Sequence, residues 1–138
     1  MKFENSLFSN ELNYYKLQMS FGNFFLFEKF IISELGDGVH IDWPKIKTVT
    51  NEVLDFYGEN AKIGYISNRI NSYSIDPCIW TKVYKKYNKR MVGGSIVSYN
   101  RMMCMNASFE KMFSRFNIKV SLSLNEALNW VTDLDELY

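Results

Sequence analysis

A single stretch, Lys62 to Tyr84 (KIGYISNRINSYSIDPCIWTKVY), gathers most of the side chains that could do chemistry. Ser67, Asn68, Arg69, Asn71, Ser72, Ser74 and Asp76 lie between a short apolar run, Ile63 to Ile66, and an Asp76-Pro77 pair that reads as a helix start. The hydroxyls and amides offer hydrogen bonds, and Arg69 can pair with an acidic group. The set holds no base beside a nucleophile, so it describes recognition rather than catalysis. Ser67 or Cys78 as a nucleophile would need the only histidine, His40, which is far away in sequence. His40 and Asp42 have the composition of a general base with its orienting carboxylate, and equally of an edge residue beside a helix cap. No GxSxG, GxGxxG, P-loop or HExxH pattern occurs. A non-enzymatic protein is the expectation.

Two further patterns bear on binding. Met102, Met103, Met105, Phe109, Met112, Phe113 and Phe116 recur at helical spacing. Methionine adapts its shape to apolar ligands, so this stripe, with Trp80 and Tyr84, forms either an apolar pocket (Trp80, Tyr84, Met102, Met105, Phe109) or plain core. Lys82, Lys85, Lys86, Lys89 and Arg90 form a basic stripe that could meet acidic lipid, nucleic acid or an acidic partner. Equally, it is a solvated face whose cations favour a helix C-terminus.

Composition narrows the classes. At 138 residues the chain is one domain, able to bury roughly two-thirds of its unfolded surface. With 47% hydrophobic residues, general disorder is excluded. Sixteen basic and fifteen acidic side chains leave almost no global field, so nucleic acid is not an expected partner. Cys78, Cys104 and His40 cannot fill a structural zinc site, and neither metal nor cofactor is expected. The cysteines read as free thiols, the amino end lacks a signal-peptide core, and no apolar run approaches the ~20 residues of a membrane span. A cytoplasmic location follows as an expectation.

These residues must be positioned by a mixed sheet. Residues 1–13 read as an N-terminal arm and 14–138 as the domain. Tyr15, Leu17, Met19 and Phe21 alternate as a half-buried strand does. Phe24 to Phe27 and Phe30 to Leu35 read as an antiparallel hairpin. Asp42-Trp43-Pro44 starts a helix along Ile46, Val49, Val53 and Phe56 that stops at Gly58. The strand Ile63 to Ile66 leads through the polar loop to a second helix bearing Trp80, Val83, Tyr84 and Tyr87. Met91 to Tyr99 is the next strand, with Gly93-Gly94 marking a bulge or close backbone approach. The methionine-rich helix, a strand Ile118 to Leu122 and a helix opened by the capping box Ser123-Leu124-Asn125-Glu126 complete the order, ahead of an acidic tail from Asp133. The order β-β-β-α-β-α-β-α-β-α predicts an α/β fold with an initial antiparallel hairpin, βα units and four helices.

That order resembles the STAS, or SpoIIAA-like, fold. The segments FGNFFLFEKFIISELGDGVHIDW, YISNRINSYSIDPCIW and SYNRMMCMNASFEKMF look like small STAS/SEC14-domain proteins of Bacteroidetes, over roughly residues 15 to 132. The resemblance implies a non-enzymatic regulatory partner of kinase or transporter modules, or a holder of small apolar ligands. Its signalling members carry a phosphorylated serine in a D-S-[ST]-[AG]-like motif after the central strand. The equivalent region here, Asn71-Ser72-Tyr73-Ser74-Ile75-Asp76-Pro77, departs from that motif: the aspartate follows the serines.

Two surfaces are thus expected to bind. The 67–76 loop with its neighbouring helix would contact a protein partner, the alternative being a lipid-like ligand against the methionine-rich helix. Phe24, Phe25, Phe27 and Phe30 exceed what one sheet face needs, which predicts either cover on both faces or a homodimer through the hairpin.

Overall fold

In the computed structural model, residues 1–134 are described, so the acidic tail beyond Leu134 lies outside the described residues. The strands β1 (Tyr15–Met19), β2 (Gly22–Leu26) and β3 (Phe30–Leu35) form an antiparallel meander. Beyond β3 the sheet turns parallel, through β5 (Ile63–Asn68), β7 (Met91–Val97) and β8 (Ile118–Ser121). The order β1-β2-β3-β5-β7-β8 makes one six-stranded sheet. Two short strands, β4 (His40–Ile41) and β6 (Ser74–Ile75), pair in parallel beside it. They were not legible in the sequence, because two residues carry no periodicity.

Local chemistry sets the helix ends. Asp42 Oδ1 accepts from the Lys45 amide at 3.1 Å and opens α2 (Trp43–Tyr57). Gly58, at φ 84°, ends it in a conformation that other residues rarely adopt. The second expected start shifts: Asp76 Oδ1 accepts from the Cys78 amide at 3.0 Å, and α3 (Ile79–Tyr87) begins only after that turn. Asn100 Oδ1 accepts from Met103 N and opens α4 (Arg101–Phe113). Ser123 Oγ accepts from Glu126 N to open α5 (Leu124–Thr132). Glu126 reaches back one residue further than a capping box does, to the Leu122 amide at 2.9 Å.

Strand side chains alternate between faces, which divides the core in two. Phe24, Leu26, Ile31 and Ile96 meet α2 and α3 through Val49, Val53, Trp80 and Val83. Phe25, Phe27, Ile32, Ile66 and Val97 meet α5 through Leu124, Leu128 and Val131. The glycines mark a close approach, as expected. A Cβ on Gly94 would stand 2.8 Å from the Tyr65 carbonyl, and the β5–β7 register shifts beside Ile63 and Gly64.

Residues 1–13 are seated on the domain. A 3₁₀ turn, Phe3–Asn5, and the short α1 (Phe8–Glu11) lead into β1. Phe3 is wholly buried, with its ring 4.8 Å from Phe25 and 5.3 Å from Phe27. The aromatic hairpin is therefore covered on both faces within one chain. Phe24, Phe25, Phe27 and Phe30 are all buried, so these rings present no face to a second copy.

Candidate functional site

The parallel strands β3, β5 and β7 end along one edge of the sheet, the usual place for a site in such folds. Their last residues are polar. Alternation sends Ser33 and Ser67 toward the α3–α4 side, and Glu34 and Asn68 toward the other. Two separate buried networks result.

On the α3–α4 side, Arg69 forms a two-pronged ion pair with Glu110 of α4. Nη2 donates to Oε1 at 2.8 Å, Nη1 donates to Oε2, and Nε donates to Ser67 Oγ at 3.2 Å. Trp80 Nε1 donates to the same Glu110 Oε1 at 3.2 Å. The guanidinium lies 5.3 Å from the centre of the Tyr73 ring, whose hydroxyl is 3.1 Å from Ser67 Oγ. Tyr65 and Ser33 share a hydrogen bond of 2.6 Å. Burial opposes the Arg69 charge, but the hydrogen bonds it donates to Glu110 and the adjoining negative charge outweigh it and raise its proton affinity. Burial pushes the Tyr65 hydroxyl up to about 12 and raises Tyr73 as well. Both stay protonated at neutral pH, as hydrogen-bonding groups rather than bases. The network is a clamp between the loop after β5 and α4.

This placement corrects the expectation for the loop. Ser67, Asn68 and Arg69 are buried, so none of the three offers an exposed surface to a protein, although Arg69 lines the base of a groove and Ser67 the edge of a cavity. Asn71 donates to the Leu35 carbonyl at 2.9 Å. Ser72, Ser74 and Asp76 are exposed, and His40 Nδ1 lies 2.7 Å from Ser74 Oγ across the β4–β6 pair. The fold thus brings the only histidine to a serine, although both are exposed and the contact is an ordinary cross-strand one. Neither Ser72 nor Ser74 lies in the first turn of α3.

The methionine stripe is corrected too. Ala107 and Glu110 are the buried residues of α4, and helical spacing therefore turns Met102, Met105, Phe109, Met112 and Phe113 away from the protein. Met102 is 72% and Met112 81% exposed, so the stripe is neither core nor enclosed pocket. Trp80 lines a half-open apolar cavity, Tyr84 stacks edge-on with buried Phe116 at 5.1 Å, and Met102 and Phe109 border a separate groove. The five residues expected around one pocket do not share one. Sequence reading missed Glu110, because a lone glutamate in a helix looks solvated; its partner is 41 residues away. The single acid in an otherwise basic helix was the available signal.

The groove, about 310 Å³, runs between the loop residues Asn71, Ser72, Ser74 and Pro77 and the α4 residues Met102 and Phe109, with the clamp at its base. The cavity, about 140 Å³, lies between the sheet and α2–α3, lined by residues such as Phe24, Ile31, Val53 and Trp80, with Tyr65 and Ser67 at a polar edge. Among the described residues no cluster of His, Cys, Asp and Glu could hold a metal ion, and no helix is long and apolar enough to cross a membrane. Cys78 and Cys104 are unbridged.

On the opposite side, Glu34 Oε2 accepts from the Phe3 amide at 2.6 Å and from Asn68 Nδ2 at 2.7 Å. Asn68 Nδ2 also donates to the Met1 carbonyl at 2.8 Å, and Tyr99 donates to Asn68 Oδ1. Burial raises the Glu34 carboxyl above its ordinary 4.5, against these hydrogen bonds. A raised folded-state value favours the protonated form, so its contribution to stability is complete below the ordinary unfolded value and is lost as pH rises through the raised folded value. Glu34→Gln keeps an acceptor without the charge. Its stability relative to wild type, from urea midpoints, should therefore improve between about pH 4 and about pH 7. A difference that stays constant over that range would contradict the buried-charge account.

No protein-family model matches the sequence, and no curated protein does. In three dimensions the chain is similar to an uncharacterized protein from the DUF3478 family with a SpoIIAA-like fold, from Shewanella loihica PV-4. The TM-score is 0.55 at 10% identity, over 87% of this chain and 93% of that one. The likeness establishes a SpoIIAA-like fold for this chain. It adds nothing to the narrower Bacteroidetes resemblance of the three segments.

Proposed function

We propose that the protein is a non-enzymatic, protein-binding regulatory module, acting in the cytoplasm, whose contact surface is the outer face of α4 with the adjoining 71–77 loop. One observation carries this reading: Met102, Met105, Phe109, Met112 and Phe113 are all exposed along one helix. Covering a large apolar side chain is worth about 1.5–3 kcal/mol, and contiguous exposed apolar surface marks interaction sites. Methionine suits such a role because its flexible thioether adapts to a partner. The hydroxyls and amides of Ser72, Ser74, Asn100 and Asn106 supply a polar rim around the groove.

A displayed library of helical peptides, selected on the wild-type protein, tests the surface. Enriched peptides should bind wild type and lose at least about tenfold in affinity for the Met105→Glu/Met112→Glu variant. Both positions are exposed, so the variant's thermal midpoint should stay near that of wild type. Peptides indifferent to the substitutions would place the contact elsewhere.

The second reading, a carrier of a small apolar ligand, is favoured by the cavity rather than by the methionine helix. Its size approaches that of an engineered apolar cavity of about 150 Å³ that binds benzene. Indole should then raise the thermal midpoint in a concentration-dependent way, and Val53→Phe, which fills the space, should abolish the shift. No shift up to the solubility of indole would reject the carrier.

A further inference from the structure

We infer that the outer face of α4 receives an acidic amphipathic helix of a partner protein, an inference that rests on the protein-binding reading above. Three observations converge on it: the spacing of the apolar stripe, the sign of the charge around it, and the polar wall beside it.

Met102, Met105, Phe109 and Met112 recur in alternating steps of three and four residues. That is the spacing by which one helix packs its apolar seam along another. The stripe is not used within the chain, because α4 docks through Ala107 and Glu110. The loop 71–77 banks the groove on the side of Met102, Met103 and Phe109, and Met105 and Met112 continue the exposed stripe outside it, so an occupant lying along α4 covers both.

The charge on the helical side is one-sided, and the exposed Asp76 of the loop bank is the acid that stands beside it. Every exposed charged side chain between Pro77 and Asn117 is positive, and the single acid in that span, Glu110, is buried against Arg69. Arg101 and Lys111 are exposed on α4 and Arg115 just beyond its end, where Lys89, after α3, lines the same surface hollow. Among the described residues Arg101 and Lys111 have no ion-pair partner; Arg115 rests over the Tyr84 ring at 5.7 Å. The whole chain carries a net charge of only +1, so this flank is a local excess with its balance elsewhere. Such a field selects an acidic partner and repels a basic one.

The same field argues against a second copy of this chain. An antiparallel pairing of two α4 helices about their middle would bring Arg101 of one within about a turn of Lys111 of the other, like charge near like. A membrane surface fits less well than a protein. The stripe is mostly methionine and carries no tryptophan, and the Ser72 and Asn106 side chains of the groove would face hydrocarbon with their hydrogen bonds unmade.

The test uses two labelled synthetic helical peptides with identical leucine seams, one flanked by glutamate and one by lysine, titrated against the full chain by fluorescence anisotropy. The glutamate peptide should bind at least about tenfold more tightly than the lysine peptide and weaken as salt is added. The Lys111→Glu/Arg115→Glu variant should reverse that preference, and Met105→Glu should weaken both peptides; circular dichroism confirms that each variant is folded. Equal affinity for both peptides, lost in Met105→Glu, would overturn the acidic partner and leave the binding surface standing. Failure of both peptides would overturn the acidic partner and count against the surface as well. Co-sedimentation of the protein with phosphatidylglycerol vesicles, without peptide binding, would assign the face to a membrane. Self-association that Met105→Glu abolishes in sedimentation velocity would assign it to a second copy. Either result overturns the inference.

Discussion

Glu110→Ala should destabilise the protein by about 3–5 kcal/mol, a large part of the stability of an ordinary domain. The substitution leaves the Arg69 guanidinium buried without its counter-charge and strips Trp80 Nε1 of its acceptor. Both ends of the pair are nearly enclosed, with side-chain exposures of 8% and 5%, so water entering from the groove replaces the lost partner only in part. Arg69→Met should be similarly damaging, since it abandons the Glu110 carboxylate in the same place. The double variant Arg69→Met/Glu110→Met should be less destabilised than either single one, because no buried charge remains. Urea unfolding of the four proteins makes the comparison. A loss below about 1 kcal/mol in Glu110→Ala would mean that the pair is solvated in the manner of a surface salt bridge. The pair also couples the loop to α4, so peptide binding at the groove should weaken in these variants even where they remain folded.

Phe3→Ala should cost a further large amount, about 3–5 kcal/mol. The ring is fully enclosed between Tyr14, Phe25 and Phe27, and truncation leaves a void that the rigid sheet beneath cannot fill. The backbone at the same residue donates to Glu34, which ties the amino-terminal segment to the polar end of β3. If residues 1–13 were a loose arm, the substitution would change the stability by no more than about 0.5 kcal/mol and leave the thermal midpoint in place. A cooperative unfolding transition at a markedly lower midpoint is the expected result, and an unchanged one would return the segment to the solvent.

Much of the scaffold was legible because it rests on local chemistry. Asp42 and Pro44 announced α2, Gly58 its end, and Ser123 the start of α5, each through a backbone group that the side chain or its absence must satisfy. Strand alternation announced the meander and the two-faced aromatic hairpin. The candidate site was legible only as a neighbourhood. Arg69 was recognised as a cation in want of an acid, but it turned inward to Glu110 rather than outward to a partner. The methionines were recognised as one stripe, but periodicity alone cannot say which face of a helix points home. That depends on where α4 docks, and it docks through a small residue and a charge, Ala107 and Glu110.

By itself, then, the sequence determined the order of the six sheet strands and of α2 to α5, most of their boundaries and the division of the sheet's side chains between two faces. These follow from capping, turn chemistry and period, all of which act within a few residues. The 3₁₀ turn, α1, β4 and β6 went unread, and α1 makes the α-helices of the described residues five where four were expected. Only the tertiary structure decided that Phe3 closes the hairpin, that Arg69 and Glu110 clamp the loop to α4, and that the methionine stripe is left exposed on a basic flank. Each of those outcomes joins residues tens of positions apart or depends on which helix face finds a neighbour. Burial and charge compensation are properties of that assembled surface, and no single segment carries them.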